Sequence, residues 1–231
     1  MIFLFISILM TKHIYEIYNY NHNAVLGQLQ SANKEEIYEL LKERNPLLIH
    51  NLGNKHKEYN NLSFKKISED NPGHIINDKN RYISLKAFVD EEQIYVYKNP
   101  DLYDSLRLRR MFDGVYELFK SQIQCNRQYY LSLLKGSHSI PLTQNKHNIH
   151  LIHQIYGQSK IYLFNPKHKS DIINKDNNNQ IKKYGQKINL TQGLVLYIPI
   201  EWYYLYESDG ESIIGEIEAD NYFTIFYNNI R

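Results

Sequence analysis

The sequence predicts an α+β chain, mainly β, in which a small helix-containing N-terminal region feeds a jelly roll. Three observations carry this. Helical periodicity is confined to the first half of the chain. Seven short alternating segments crowd the stretch from Arg127 to Tyr227, and turn formers separate them at Gly136, Gly157, Thr191-Gln192-Gly193 and Ser208-Asp209-Gly210. That spacing belongs to a sandwich or barrel, and helices first with antiparallel strands second is the α+β order.

At roughly 150 residues per domain the 231 residues fit one domain, because all-β units often run this long. The expected division is an apolar leader or mis-called start over 1–9 and a single domain over 10–231. Within that domain the α+β part covers about 10–126, the jelly roll about 127–231, and a mobile surface insertion rich in Asn and Lys about 167–187. Aromatics are 13 % of residues and charges 23 %, the opposite of a chain too polar to collapse.

The 27 basic and 25 acidic residues nearly cancel, which leaves no global field to draw a phosphate backbone or an anionic bilayer. Nucleic acid and membrane are therefore not the expected partners. A single cysteine, Cys125, excludes an internal disulfide framework and multi-cysteine metal sites. It fits a reducing compartment, the cytoplasm or, for a viral chain, the host cytoplasm or virion. Ile, Asn, Lys and Tyr are over-used and have AT-rich codons, a bias of protist parasites, slime moulds and the large DNA viruses of amoebae. Codon pressure thus accounts for the 21 tyrosines.

Along the chain, Met1 to Met10 is apolar but falls short of the about 20 residues of a membrane span, and it lacks the basic start and cleavage site of a signal peptide. It reads equally as an over-extended gene start or as an anchor. Asn33 with Glu36 signals a helix N-terminus, followed by an apolar stripe of Ile37, Leu40 and Leu41 that ends at Asn45-Pro46. Pro46 to Leu52 reads as a buried strand, and Gly53 to Asn80 as polar loop with a turn at Asn71-Pro72-Gly73. Strands follow at Tyr82 to Phe88 and Ile94 to Lys98, then a helix over Asp113 to Ile123 preceded by Arg107, Arg109 and Arg110, a cluster read as a solvated face. The seven later strands are Tyr129 to Leu134, Ile149 to Tyr156, Lys160 to Phe164, Gly193 to Ile198, Trp202 to Glu207, Ser212 to Glu218 and Tyr222 to Tyr227.

Three blocks then stand out: Gly136 to Leu142 with His150 to Gly157 and Lys160 to Pro166; Gly193 to Ser208, with Ile198-Pro199-x-x-Trp202 as its strongest piece; and the opening strand Asn45 to Leu52. Together they cover about half the chain and resemble the JmjC or cupin-like 2-oxoglutarate oxygenases. The resemblance implies a double-stranded β-helix whose interior holds Fe(II) with two histidines and one carboxylate. Carried onto this sequence, the first His-x-Asp falls on Thr143 and Asn145 counting forward from Pro141-Leu142, or on Gln144 and Lys146 counting back from Gln154. The third ligand falls on Tyr204, and the co-substrate lysine on Ser159, with Lys160 one place out of register and so facing away.

None of these is the family's ligand. The resemblance therefore implies a fold kept without its chemistry: a non-catalytic binding or structural module, with no cofactor, whose mouth is lined by Thr143, Asn145, His150, Ile152, Gln154 and Tyr204 and receives a protein or small ligand. The alternative is an active hydroxylase using Fe(II) and 2-oxoglutarate through some of His138, His147, His150 and His153. Strand alternation argues against it, placing His147 and His153 on one face and His150 on the other. A structural component of a virus particle or a host-factor mimic rests on composition alone. No phosphate loop, nucleophile elbow or His-Glu-x-x-His motif is present, and Cys125 reads as a small buried hydrophobe.

Overall fold

The computed structural model describes residues 2–18, 24–31, 33–50, 52, 62–78, 81–120, 124–173, 175 and 177–230. It is an α+β chain dominated by strands, organised around one large mixed sheet. Along the sheet the order is β1 (Gly27–Leu29), β2 (Leu47–Ile49), β10 (Val195–Tyr197), β8 (Ile149–Phe164), β12 (Ser212–Asn221), β6 (Gln124–Lys135) and β5 (Ile94–Asn99). Only β1 and β2 run parallel among these pairs.

The long β8 belongs to two ladders. Its first half pairs with β10 and β12, and its second half with β11 (Tyr203–Asp209) and β9 (Gln186–Thr191), while β11 also pairs with β7 (Ser137–Gln144). Between the halves sits Gly157, in the left-handed region at φ 73°. Ile152 and Leu163, on opposite sides of this bend, enter the same apolar core with Leu48, Ile188, Leu196, Trp202, Tyr204, Tyr206 and Ile214. The arrangement is consistent with two sheet layers closing on one interior.

A helical layer covers the other face of the first ladder. Here α2 (Lys34–Lys42), α3 (Phe64–Asp70), α5 (Pro100–Ser105) and α6 (Arg109–Phe119) bury Ile37, Phe64, Ile67, Leu102, Tyr103, Phe112, Val115 and Phe119 against Leu151, Ile155, Ile213 and Ile217. Gly215 has no side chain at the point where the Phe112 ring rests, and a Cβ there would lie 1.9 Å from it. At the ends of the chain α1 (Ile2–Tyr18) meets α9 (Tyr222–Ile230), His13 packing 5.5 Å from the Phe223 ring. Among the described residues no helix is long and apolar enough to cross a membrane.

Several expected elements are corrected. The strand expected over Tyr82 to Phe88 is β4 (Arg81–Ser84) only, after which α4 (Leu85–Val89) begins. Ser84 accepts from the Ala87 N–H, and Leu85 and Phe88, three apart, sink into the same core. Tyr222 to Tyr227 is helical for the same reason: the Asn221 side chain accepts from the Thr224 N–H at 2.8 Å, so a local cap overrides a β-favouring composition.

The segment 167–187, expected as a mobile insertion, carries α7 (Lys169–Ile173), α8 (Asn178–Lys182) and the start of β9. Ile172 and Ile181 anchor it in a small core with Phe164 and Leu205. Strand β7 and helix α3 have no counterpart in the sequence reading, and Ile149 to Phe164 is one bent strand rather than two. The helix expected over Asp113 to Ile123 starts earlier, at Arg109, and Ile123 lies outside the described residues, as do 53–61 and 79–80 of the expected loop.

A methyl group at Gly157 would meet a positive φ and stand 1.9 Å from the Glu211 carbonyl oxygen. Gly157→Ala is expected to lower stability by about 1–3 kcal/mol or more, read as a lower urea midpoint at unchanged slope.

Candidate functional site

Strand β12 is buried along its whole length, on both faces. Its alternation sends Ile213, Ile217 and Ala219 toward the helical layer and Ile214, Glu216 and Glu218 toward the inner core. Two carboxylates, 2 % and 8 % exposed, thus stand side by side in an apolar interior. Water does not neutralise them there, so the fold supplies cations.

The first is Lys98, and a β-bulge delivers it. Between β5 and β6 the register runs from Val96↔Leu133 to Asn99↔Leu131, so Tyr97 and Lys98 together oppose Ser132. Lys98 adopts φ 50°, and its N–H donates to Ser132 Oγ at 3.0 Å. A bulge re-aims a side chain, and here two successive residues reach the interior. Tyr97 bonds to the Tyr204 hydroxyl, while the Lys98 ammonium sits on Glu218, 3.2 Å from Glu216 and 3.4 Å from the Tyr204 oxygen.

Histidines complete the cluster. His150 on β8 stands opposite Glu218 in the ladder, with Nε2 3.0 Å from Glu216 Oε2 and 3.9 Å from Glu218 Oε1. Its ring packs edge-on to Tyr204 at 5.2 Å, and its buried Nδ1 has no hydrogen-bond partner among the described residues. His147 lies in a bend ahead of β8, with Nδ1 2.8 Å from Asp220 and Nε2 3.1 Å from Glu218. His150, Glu216 and Glu218 each offer one ligand atom within 4.8 Å of the others, a group able to hold a metal ion.

Protonation follows from these surroundings. Burial holds the His150 imidazole below its ordinary value and outweighs the pull of Glu216, so it is neutral. Burial also works against a charged His147, but the hydrogen bonds to Asp220 and Glu218 prevail and lift it to about 9. Lys98 is raised, because its carboxylate neighbours outweigh burial. Glu218 is lowered although burial opposes this, through its bond to His147 and the nearby cations. Burial pushes the Tyr204 phenol up to about 12.

The sequence-expected site residues divide into three groups. His150, Ile152 and Gln154 share the inner face of β8, and Tyr204 reaches across the interior to meet His150. These four are 1 %, 2 %, 0 % and 2 % exposed, so all of them lie in the interior. Gln154 is committed to Tyr156 O, Ser212 and Ser159. Asn145, also buried, donates to the Ile198 and His147 carbonyls and accepts from the His147 N–H, tying two loops together. Thr143 stands directly opposite Tyr204 in the β7–β11 ladder, with its hydroxyl donating to Pro141 O. Gln144, one place on, bonds instead to Glu201, and Lys146 is exposed.

Of the four histidines weighed, His147 and His150 both reach Glu218, because His147 precedes the strand and escapes its alternation. His153 packs against Phe112 in the helical layer, and His138 bonds to Lys135 O. Ser159 is buried on Gln154, and Lys160 is partly exposed beside Asp209, facing away as its register requires. Cys125 is exposed, a correction to its reading as a buried hydrophobe, since it sits at the start of β6 beyond the sheet's covered part. Lys98, Glu216 and Glu218 were missed. Their signal was present in Ile213 to Asp220, where acids alternate with apolar residues, but such a pattern ordinarily marks a strand with one wet face.

The residues at the resemblance's ligand positions do not fit iron: Thr143, Asn145 and a protonated Tyr204 offer neither imidazole nor carboxylate. No protein-family model matches the chain, and no curated protein matches it.

Two outcomes follow from the cluster. Lys98→Met strands two carboxylates and is expected to cost about 3–5 kcal/mol by chemical denaturation, with part of the loss recovered in Lys98→Met/Glu218→Gln. For His147, raised from 6.5 to about 9 on folding, the bound proton stabilises the fold fully below pH 6.5, and that contribution is lost as pH rises through 9. Wild-type stability is therefore expected to fall across this window more steeply than that of His147→Asn in pH-resolved thermal melts.

Proposed function

We propose that the chain is a non-catalytic JmjC or cupin-like double-stranded β-helix, acting as a binding or structural module in a reducing compartment, with a protein or small-molecule partner at its rim or outer surface. The observation that carries this is the pairing of Thr143 with Tyr204. The resemblance assigns these two positions to ligands of one metal ion, and such ligands must converge. Directly opposed residues on one face have Cβ atoms about 4.5–5.5 Å apart, so the convergence survives where the ligand chemistry does not. The same pairing favours Thr143 and Asn145 over Gln144 and Lys146 as the corresponding positions.

Further support comes from what surrounds them. Tyr204 keeps its proton at neutral pH, and Ser159 stands at the position of the co-substrate lysine, already bonded to Gln154. Lys98 and His147 keep part of their side chains exposed, so the edge of the interior beside them is open to a partner. A surface cavity of about 250 Å³ is lined by Pro100, Asp104, Arg127, Gln128, Tyr129 and Tyr130.

The second reading is an active Fe(II)/2-oxoglutarate hydroxylase with relocated ligands, for which His150, Glu216 and Glu218 would be the residues to test. Turnover separates the two. With Fe(II) and 2-oxoglutarate in air, the chain is expected to form no succinate above a protein-free control, and under anaerobic conditions 2-oxoglutarate is expected to add nothing to the thermal stability of the Fe(II)-treated chain. Succinate formed in proportion to 2-oxoglutarate consumed, and lost in His150→Asn, would replace the first reading with the second.

A further inference from the structure

We infer that His150, Glu216 and Glu218 form a site for a divalent first-row transition-metal ion, away from the positions the family resemblance assigns, and that Lys98 is the cation that holds the place until the metal binds. This goes beyond the binding-module reading and does not depend on it, since the three residues and their geometry stand whatever family the fold belongs to.

The ligands are already assembled. Around a metal with ligands at about 2.0–2.2 Å, neighbouring donor atoms lie roughly 3–3.5 Å apart. His150 Nε2 is 3.0 Å from Glu216 Oε2 and 3.9 Å from Glu218 Oε1, so contraction by a fraction of an ångström suffices on this side of the cluster. All three residues sit on adjacent central strands, which fixes their backbones. They are 1 %, 2 % and 8 % exposed, so they cannot relax away from one another into water.

The occupant is the part that can move. Lys98 keeps 20 % of its side chain exposed and hangs on a four-carbon stem, so its ammonium can swing outward past Tyr130, whose ring lies 5.7 Å away. Its backbone, at φ 50°, lies in the left-handed region where the bulge turns the side chain inward. A divalent ion would bring one more positive charge to the carboxylates than the ammonium it displaces.

Donor type selects the metal. One imidazole nitrogen with two carboxylate oxygens suits Zn(II), Mn(II), Fe(II) or Co(II), while Mg(II) and Ca(II) prefer all-oxygen shells. His150 would coordinate through Nε2 as the tautomer with its proton on Nδ1. Three protein ligands leave positions for water or a small anion, reached from the side that Lys98 vacates.

The test titrates ZnCl2 and CoCl2 into the full chain, with MgCl2 as control. One equivalent of Co(II) is expected to bind with a visible ligand-field spectrum and one contact-shifted imidazole N–H resonance, and Zn(II) to raise the melting temperature. His150→Asn and Glu216→Gln are expected to weaken binding by more than the about 10–100-fold that loss of an outer-shell partner costs, while Lys160→Met leaves it unchanged. Lys98→Met, freed of the competing ammonium, is expected to bind at least about tenfold tighter, and if it folds poorly alone, ZnCl2 but not MgCl2 restores it. No stoichiometric Co(II) binding by the wild-type chain would overturn the assignment. So would binding that survives His150→Asn and Glu216→Gln, or binding seen only in Lys98→Met, which would make the lysine a permanent occupant. Metal binding without succinate formation leaves the binding-module reading intact, so the two inferences fail separately.

Discussion

The Lys98 ammonium between Glu216 and Glu218 is the contact around which the inner half of this protein is arranged. Two buried carboxylates on one strand face have no acceptable state without a cation, because isolated charge in an apolar interior costs several kcal/mol even after relaxation. The chain meets that demand with a bulge at the end of β5, which turns both Tyr97 and Lys98 inward. Tyr204 then receives both residues through its hydroxyl and packs its ring on His150. A charge requirement on β12 thus fixes the geometry of β5, β8 and β11 together.

The outer half of the molecule makes that arrangement rigid. Gly215 lies between the inward residues Ile214 and Glu216, and the Phe112 ring of α6 fills the space its missing side chain leaves. The same ring meets His153 on β8 edge-on, at 5.6 Å. Helix α6 therefore presses on the back of the two strands that carry Glu216, Glu218 and His150. Among the described residues no helix contributes a side chain to the polar cluster, yet the helices hold the strands whose spacing defines it.

Alternating patterns and turn residues made the strand-rich second half legible in the sequence, and Asn33 with its apolar stripe made α2 legible. Reading failed where a local cap competed with composition, as at Ser84 and Asn221, whose side chains start helices in segments rich in Tyr, Phe and Ile. It failed again where sparse apolar residues anchor a polar stretch, as Ile172 and Ile181 do. At the site, His150 and Tyr204 were found because a resemblance pointed to their strands. Glu216 and Glu218 were passed over, since an acid at every second position says which residues share a face but not whether that face is wet. Lys98 was out of reach altogether: its inward direction depends on a bulge, and a bulge is a property of two paired strands rather than of one.

A buried ionic cluster of this kind is a poor device for stability. Replacing such groups by well-packed apolar residues is often neutral or stabilising by about 1–4 kcal/mol, and the inner core around them, with Ile152, Ile161, Leu163 and Leu196, shows that the fold has apolar packing at hand. Here the chain keeps two glutamates, a neutral histidine and a lysine in left-handed backbone instead, and adds His147 and Asp220 at the rim. Each of these choices costs stability by itself, and they offset one another through direct contacts, Lys98 with both glutamates, His150 with Glu216, and His147 with Glu218 and Asp220. A cluster that is unfavourable piece by piece and coherent through these ion pairs is organised by charge rather than by apolar packing, which is why its geometry depends on the lysine that the bulge delivers.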